Sequence, residues 1–544
     1  MRKAAFFSFI VVFVLFVAGC GSQSTSQPPT VTCGVPCAGP VDAAVSLTIT
    51  DTPPTGVTVL FFQLGITGAT LTTSTGQNIS PLNGTLPIPV NVTQLQTDSA
   101  LLGSTDTLVG FLDNPGSLDT FIGLTVTLSN PQLTIYNGSG AAIGSCPNNA
   151  VCQLTPSATP LSLTFSAAPF PITWSSSSSL AFQLDVNLNT IIQPDLTVNL
   201  AAPNGVTLSQ LPLSSSGAPI STLSNLIGAI QSADIGDGTD GLTLQTGDGR
   251  SLYIEVDSST TYNFPSSVCA ADNFSCLAAG QIVKVEMSLQ TNSNLVASAV
   301  SYIQPAGQTV VVGNIIQLSS SGGNTMMDLI LQQGPPAPAT ATALPPFGQR
   351  VTVTVPTTGV NYAIDSDSFT LPNGLTFASI ANLMVGQEVS VAVVPGSLTT
   401  TGGSTSSGAI GGPVAATFTA SSITLEPSQI TGSVNSALPI NVSGLSFVLS
   451  TYPNYFVPPS ATAATPPTPM PVNLTVQATS ATTFTNLTPD SISGLAAGDV
   501  VSVKGWLFPY GAIPLDCLGV DGCAPFGVIA AETVVGRPGP TPLF

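Results

Sequence analysis

The chain has no histidine. That absence removes Ser-His-acid and Cys-His catalysis, and with them His-containing zinc and haem sites. Charge is also scarce, at 6% of 544 residues, and positive charge is scarcest, with seven Lys and Arg against 26 Asp and Glu. Beyond Arg2 and Lys3 only Arg250, Lys284, Arg350, Lys504 and Arg537 remain, which leaves −21 over the rest of the chain. Nucleic acid and anionic lipid surfaces are therefore poor partners, because both are gripped through Lys and Arg. Trp174 and Trp506 are the only tryptophans; each reads more simply as a core or turn residue than as a stacking platform for sugars. There is no G-x-S-x-G elbow, phosphate-binding loop or dinucleotide fingerprint. Composition leaves a carboxylate pair for glycoside hydrolysis open. Yet Glu255, Glu286 and Glu388 lie in alternating segments, where a solvent-facing place is expected, as it is for Lys284 and Lys504. No catalytic residue is assigned.

What replaces charge is Ser, Thr, Asn and Gln among Val, Ile and Leu. Such a composition suits solvated β-sheet better than helix, whose exposed faces draw on Lys and Glu. The 51 Gly and 47 Pro exceed average usage but fall short of the roughly 25–30% at which disorder becomes the default. The expected class is all-β.

The first residues carry an address. Arg2 and Lys3 precede an uncharged run, Ala4 to Val17, too short for a permanent helical span of roughly 20 residues. The run ends in Val17-Ala18-Gly19-Cys20. This resembles a bacterial lipobox, and the resemblance implies cleavage of residues 1–19, acylation of Cys20 and a membrane tether. An ordinary signal peptide with a chance cysteine is the alternative. Gly21 replaces the Asp that resembles an inner-membrane retention signal, which points to the outer membrane. Residues 20–40, rich in Ser, Thr, Gln and Pro, read as a flexible spacer.

With Cys20 set aside, eight cysteines remain in four close pairs: Cys33/Cys37, Cys146/Cys152, Cys269/Cys276 and Cys517/Cys523. An even count in local pairs reads as four small disulfide loops in an oxidising compartment. Zinc is the competing reading, weakened by the missing histidine and by the distance between pairs.

Residues 41–203 read as an antiparallel β-sandwich. Val45–Asp51 alternates and ends at Thr52-Pro53-Pro54. Val57–Leu71 offers a strand pair, and further strands fit Leu124–Leu128, Gln132–Tyr136, Leu161–Phe165 and Leu180–Leu188, with Val198–Pro203 closing the unit. Thr93–Asp119 has room for a short helix. Ser46-Leu-Thr-Ile-Thr-Asp-Thr-Pro53, Thr67-Gly-Ala-Thr-Leu71 and Leu180-Ala-Phe-Gln-Leu-Asp-Val-Asn-Leu188 together resemble an uncharacterised bacterial lipoprotein domain family. The resemblance implies a sandwich at the cell envelope and carries no catalytic residue.

The second half repeats itself. Leu277-Ala-Ala-Gly-Gln-Ile-Val-Lys-Val285 recurs as Leu383-Met-Val-Gly-Gln-Glu-Val-Ser-Val391 and as Leu495-Ala-Ala-Gly-Asp-Val-Val-Ser-Val503. Each follows a strand with a Thr-rich turn, each unit starts near Gly228, Gly313 or Gly432, and the Gly before each alternating strand is expected to need positive φ. Three units follow, at 225–304, 309–425 and 426–536. Their strand order resembles a second uncharacterised exported family of small, OB-like β-barrels. The helical spacing of Leu223, Leu226, Ile227 and Ile230 conflicts with the other copies, which favour a strand from Ile227 after a helical turn. Pro-rich insertions at 334–346, 395–413, 457–471 and 509–526 read as spacers, or as recognition loops with Tyr452, Tyr455, Phe456 and Tyr510 as anchors.

Asp234, Asp237 and Asp240 in a Gly-rich loop are the candidate metal ligands, with calcium the fitting ion. Asp and Gly are equally ordinary hairpin residues, and the spacing is not that of an EF-hand. Asp365-Ser-Asp367 is a lesser acidic turn. No other cofactor is expected. The expected protein is a non-enzymatic envelope lipoprotein with a structural, adhesive or ligand-capture role. The alternative is an accessory lipoprotein that binds or processes carbohydrate, with a glycan or protein as its ligand.

Overall fold

The computed structural model describes most of residues 57–94, 119–210, 221–451, 472–509 and 527–537, together with the backbone of 11–17 and 41–45. Among these residues the chain is all-β, and its longest α-helical element is the single turn Leu188–Ile191. Cys20, Cys33, Cys37, Asp237, Cys517, Cys523 and the four aromatic anchors fall outside the described residues, as does most of Thr93–Asp119.

The N-terminal unit is a sandwich. Its larger sheet runs Ser162–Phe165, Asp119–Leu128, Val57–Thr73, Gln132–Asn137, Ala150–Leu154. The smaller runs Val206–Gln210, Phe182–Val186, Val11–Val17, Val41–Val45. One core joins them: Phe62, Leu64, Leu71, Phe121 and Ile135 from the first pack with Phe182, Leu184, Val186 and Leu208 of the second. Two boundaries differ from expectation. Val57–Thr73 is one 17-residue strand rather than a pair, because the chain bends through a bulge between Ile66 and Gly68 and stays paired on both sides of it, Gly65 with Pro89 and Gly68 with Thr127. The closing strand is Val206–Gln210, beyond residue 203, while Val198–Asn199 makes only a short parallel pair with Ala158–Thr159. The Val- and Phe-rich run Val11–Val17 is strand-competent, and its backbone pairs with Phe182–Leu184 and with Val41–Val45.

The three following sheets share one plan. With the extra edge strand Thr399–Thr405 of the second unit left out of the numbering, the strands of each unit are ordered 3-2-1-5-6-4, and a parallel pairing of strands 3 and 6 curls the sheet back on itself. That pairing covers four residues in the second and third units and the single pair Glu255↔Val296 in the first. The order is OB-like. Ser221–Asp234, the first strand of the first barrel, has no helical turn. Its backbone carries a bulge between Leu223 and Leu226. Beyond it Leu226 and Ile230 face the barrel core while Ile227 packs on Val310 and Val312 of the second barrel, so apolar residues occupy both faces.

The repeated Leu-x-x-Gly segment is a device for entering strand 5. A single 3-10 turn (Phe274–Cys276, Ile380–Asn382, Ile492–Gly494) delivers Leu277, Leu383 and Leu495 into the core. Gly280, Gly386 and Gly498 follow at φ 84°, 95° and 90°, a region where other residues are strained. Their N–H groups donate to Ile230, Ile315 and Val434 across the barrel. The next side chain caps the turn: Gln281 and Gln387 accept from the N–H of Ala278 and Met384 at 2.7 and 2.8 Å, and Asp499 accepts from Ala496 at 2.7 Å. Each barrel thus spends the same four residues on one corner.

Candidate functional site

Three of the five cations that follow Arg2 and Lys3 are buried: Lys284 at 1%, Arg350 at 0% and Lys504 at 5% exposure. This corrects the expectation that Lys284 and Lys504 face solvent. Val283 and Val285 fill the first barrel's core, so alternation turns Lys284 outward, onto a face that the second barrel covers. There its Nζ lies 2.8 Å from Asp365 Oδ2 and 3.6 Å from Glu426 Oε2. Both acids belong to the second barrel. Asp365 is therefore a structural partner of Lys284 and not part of a solvated acidic turn. Its backbone is held on two sides: its N–H donates to Leu425 at 3.1 Å, and its carbonyl accepts from Trp506 Nε1 of the third barrel at 2.8 Å. Asp365 is thus the point where all three barrels meet. Glu426 accepts from Ser390 Oγ at 2.7 Å through its other oxygen.

The third barrel packs on the second through apolar surface. Trp506, Phe508, Val528 and Ala530 join the second barrel's core, and Phe369 stacks on Trp506 at 5.1 Å between ring centroids. Gln387 crosses this boundary to donate to Leu507 O at 2.8 Å. Lys504 stays within its own barrel, 3.4 Å from Glu532.

Arg350 sits where the second barrel meets the sandwich. It pairs with Asp328, donates to Gln317 Oε1 at 3.1 Å, and holds the Ile410 and Gly411 carbonyls at 3.0 Å each. Gly411 in turn exchanges backbone hydrogen bonds with Asn149 and Val151 of the sandwich. Leu60, Phe61, Tyr136 and Val151 pack against Ile316, Ile330 and Ile410. Asn91 donates to Gln332 at 2.6 Å, and Thr134 to Gly348 O at 2.7 Å.

The acidic hairpin is only partly visible. Asp234 pairs across it with Gly241, and the Asp240 carbonyl accepts from Val256. Tyr253, 48% exposed, lies over Gly241. Its phenol is raised above the ordinary tyrosine range by partial burial, then by the negative charges of Glu255, Asp234 and Asp240. Tyr262 is raised by burial, with Asp240 and Asp257 adding to it. The region is an acidic, tyrosine-lined patch. Among the described residues no three acids or cysteines gather at metal-holding range. Glu255, Glu286 and Glu388 are half-buried on three separate strands. Trp174 ends the strand Ile172–Trp174. Disulfides join Cys146 to Cys152 and Cys269 to Cys276.

The family described as a domain of unknown function, DUF5666, matches residues 228–301 and 472–508. These stretches cover most of the first barrel and the middle of the third. The second barrel has the same strand order without the match. One difference sits in the Thr-rich turn: Thr260 and Thr482 hydroxyls accept from the N–H of Asp257 and Thr479 and donate to Ala297 O and Ala531 O. Val360 occupies that position in the second barrel and packs on its core. No curated protein and no solved structure matches the chain. What the comparisons identify is a likeness, over parts of the first and third barrels, to a domain of unknown function, DUF5666, within an all-β fold.

Proposed function

We propose that this chain is a non-enzymatic lipoprotein of a bacterial cell envelope, held by acylated Cys20, probing outward as a structural, adhesive or ligand-capturing arm. Val17-Ala18-Gly19-Cys20 at the end of an apolar run behind Arg2 and Lys3 carries the reading. Paired cysteines suit an oxidising compartment. Sequestering three of five cations leaves an exterior that repels anionic polymers, so the acyl chains alone supply the membrane link. In this reading the three barrels are copies of one unit, and processing before Cys20 takes Val11–Val17 out of the smaller sheet. The outer membrane is the proposed site, from Gly21 after the cysteine. The test is metabolic labelling with an alkyne fatty acid. Label on the wild type, lost in Cys20→Ser, is expected; equal labelling of both, or none of either, would overturn the anchor.

Carbohydrate capture is a second reading, supported by uncharged hydroxyl rows on the sheet exteriors. Thr70, Thr125 and Thr164 align across three strands of the sandwich, and Thr352, Thr417 and Thr399 across three of the second barrel. Calcium held by Asp234, Asp237 and Asp240 belongs to this reading. A glycan screen of the purified chain, run with and without calcium, tests both: saturable binding supports capture, and calcium dependence abolished by Asp240→Asn supports the ion.

A further inference from the structure

Lys284, Asp365 and Glu426 combine a nucleophile, an electrophile and a proton carrier in one buried contact. We propose that Lys284 Nζ and Asp365 Cγ condense to an isopeptide bond that ties the first barrel covalently to the second, with Glu426 as the catalytic residue that moves the proton.

Proximity comes first. The amine nitrogen already touches the carboxyl group, 2.8 Å from Oδ2, so the carbon it would attack is one C–O bond beyond the contact, and holding the two groups together in this way makes an intramolecular reaction fast. Both partners are immobilised. Lys284 lies in strand Ile282–Leu289 at 1% exposure, and Asp365, at 8%, is pinned through its N–H by Leu425 and through its carbonyl by Trp506. The proton carrier is also in place. Glu426, 2% exposed, puts Oε2 3.6 Å from the amine while Ser390 holds Oε1.

Burial supplies the driving force. Charges are costly away from water, so burial disfavours the ammonium and carboxylate relative to a neutral product. An amide carries no charge at all, and the shortage of water opposes its hydrolysis. The step balances as follows. The Nζ lone pair forms the N–C bond at Asp365 Cγ, and one C–O bond breaks with its electron pair going to the departing oxygen. Of the three ammonium protons one stays on the amide nitrogen. The other two pass by way of Glu426 to that oxygen, which leaves as water. Glu426 ends unchanged, and no oxidant or activating group is consumed.

The chain offers internal contrasts. Arg350 meets Asp328 in an equally buried pair, but its delocalised guanidinium stays protonated and is no nucleophile. Lys504 faces Glu532, whose side chain is 20% exposed. The Lys284 contact unites a buried amine, a buried acceptor acid and a second carboxylate on the same nitrogen.

Mass spectrometry of the purified, reduced full chain tests the proposal. The expected mass lies one water below that of the sequence, and a protease digest yields a branched peptide joining Lys284 to Asp365. Glu426→Gln keeps the shape of the site and is expected to hold the full mass, with far-UV circular dichroism confirming its fold. Lys284→Met is expected at the full mass of its own sequence. A wild-type chain at full mass after long incubation at neutral pH overturns the bond. A branch at Glu426 instead of Asp365 overturns the assignment, and equally fast loss of water by Glu426→Gln overturns its role.

Discussion

The second barrel meets the sandwich and the first barrel through different charged contacts. Towards the sandwich it presents Ile316, Ile330 and Ile410 to Phe61 and Tyr136, and its charged residue there, Arg350, is satisfied mainly by its own barrel. Towards the first barrel it presents Val310 and Val312 to Ile227, Ile282 and Ile303, and beside them carboxylates whose balancing cation comes from across the boundary. The apolar junction gains from burying surface whatever the partner's fine geometry, whereas the ionic junction is favourable only while both sides stay in register. The sandwich docks on a barrel that does not follow it directly in sequence, where surface burial must supply the attachment. The first and second barrels are joined by a short link, and what remains to be set is orientation.

The largest effect that would break the comparison is expected from Arg350→Met. It leaves Asp328 buried without its cation, and the cost of breaking such a pair is about 3–5 kcal/mol. A matching fall in the denaturant midpoint of the second barrel checks it; a shift confined to sandwich signals would place Arg350 in the docking surface instead. Phe61→Ala comes next, at about 3–5 kcal/mol less any collapse of the surrounding site. Here limited proteolysis should show the sandwich released while the barrels stay resistant.

Smaller effects sharpen the contrast between barrels. Gly280→Ala and Gly498→Ala each force a side chain into positive φ, with about 1–2 kcal/mol lost in each barrel. Unfolding midpoints of the two variants should fall alike; a neutral result in either would mean the corner relaxes. Thr482→Val removes the hydroxyl that bridges Thr479 N and Ala531 O, and about 1 kcal/mol should go with it. The second barrel, with Val360 in place, shows that the fold tolerates the change.

The smallest effect is a titration. The folded Tyr253 phenol is raised, so it favours the protonated form. Its contribution to stability is complete below the unfolded value near 10 and is lost as pH rises through the folded value. Glu255→Gln should shift the ultraviolet titration of Tyr253 downward, by less than the part due to burial. An unchanged curve would mean that the acidic patch is fully screened.

Much of the fold is legible from local pattern. Period-two alternation marks the barrel strands, and the Leu-x-x-Gly corner needs its glycine for reasons confined to four residues. Where pattern misled, both faces of a strand were covered, as at Leu226, Ile227 and Ile230, or one long strand ran through a bulge where two strands were expected, as in Val57–Thr73. The ionic junction is illegible for a different reason. Lys284 alternates with core valines and so reads as solvent-facing; nothing near it in sequence announces that another barrel lies on that face. Asp365 and Glu426 become its partners only when strands far apart in the chain are brought together.

The sequence by itself determined the β class, the three-fold recurrence of the corner motif, the local cysteine pairs within the described residues, and the shortage of positive charge. These follow from period, backbone conformation and composition, each of which acts over a few residues or none. Only the tertiary structure decided which cations are hidden, that the sandwich rests on the second barrel, and that Asp365 joins three units. Those outcomes depend on which outward faces cover one another, and a strand's outward face reads the same whether it meets water or a neighbour.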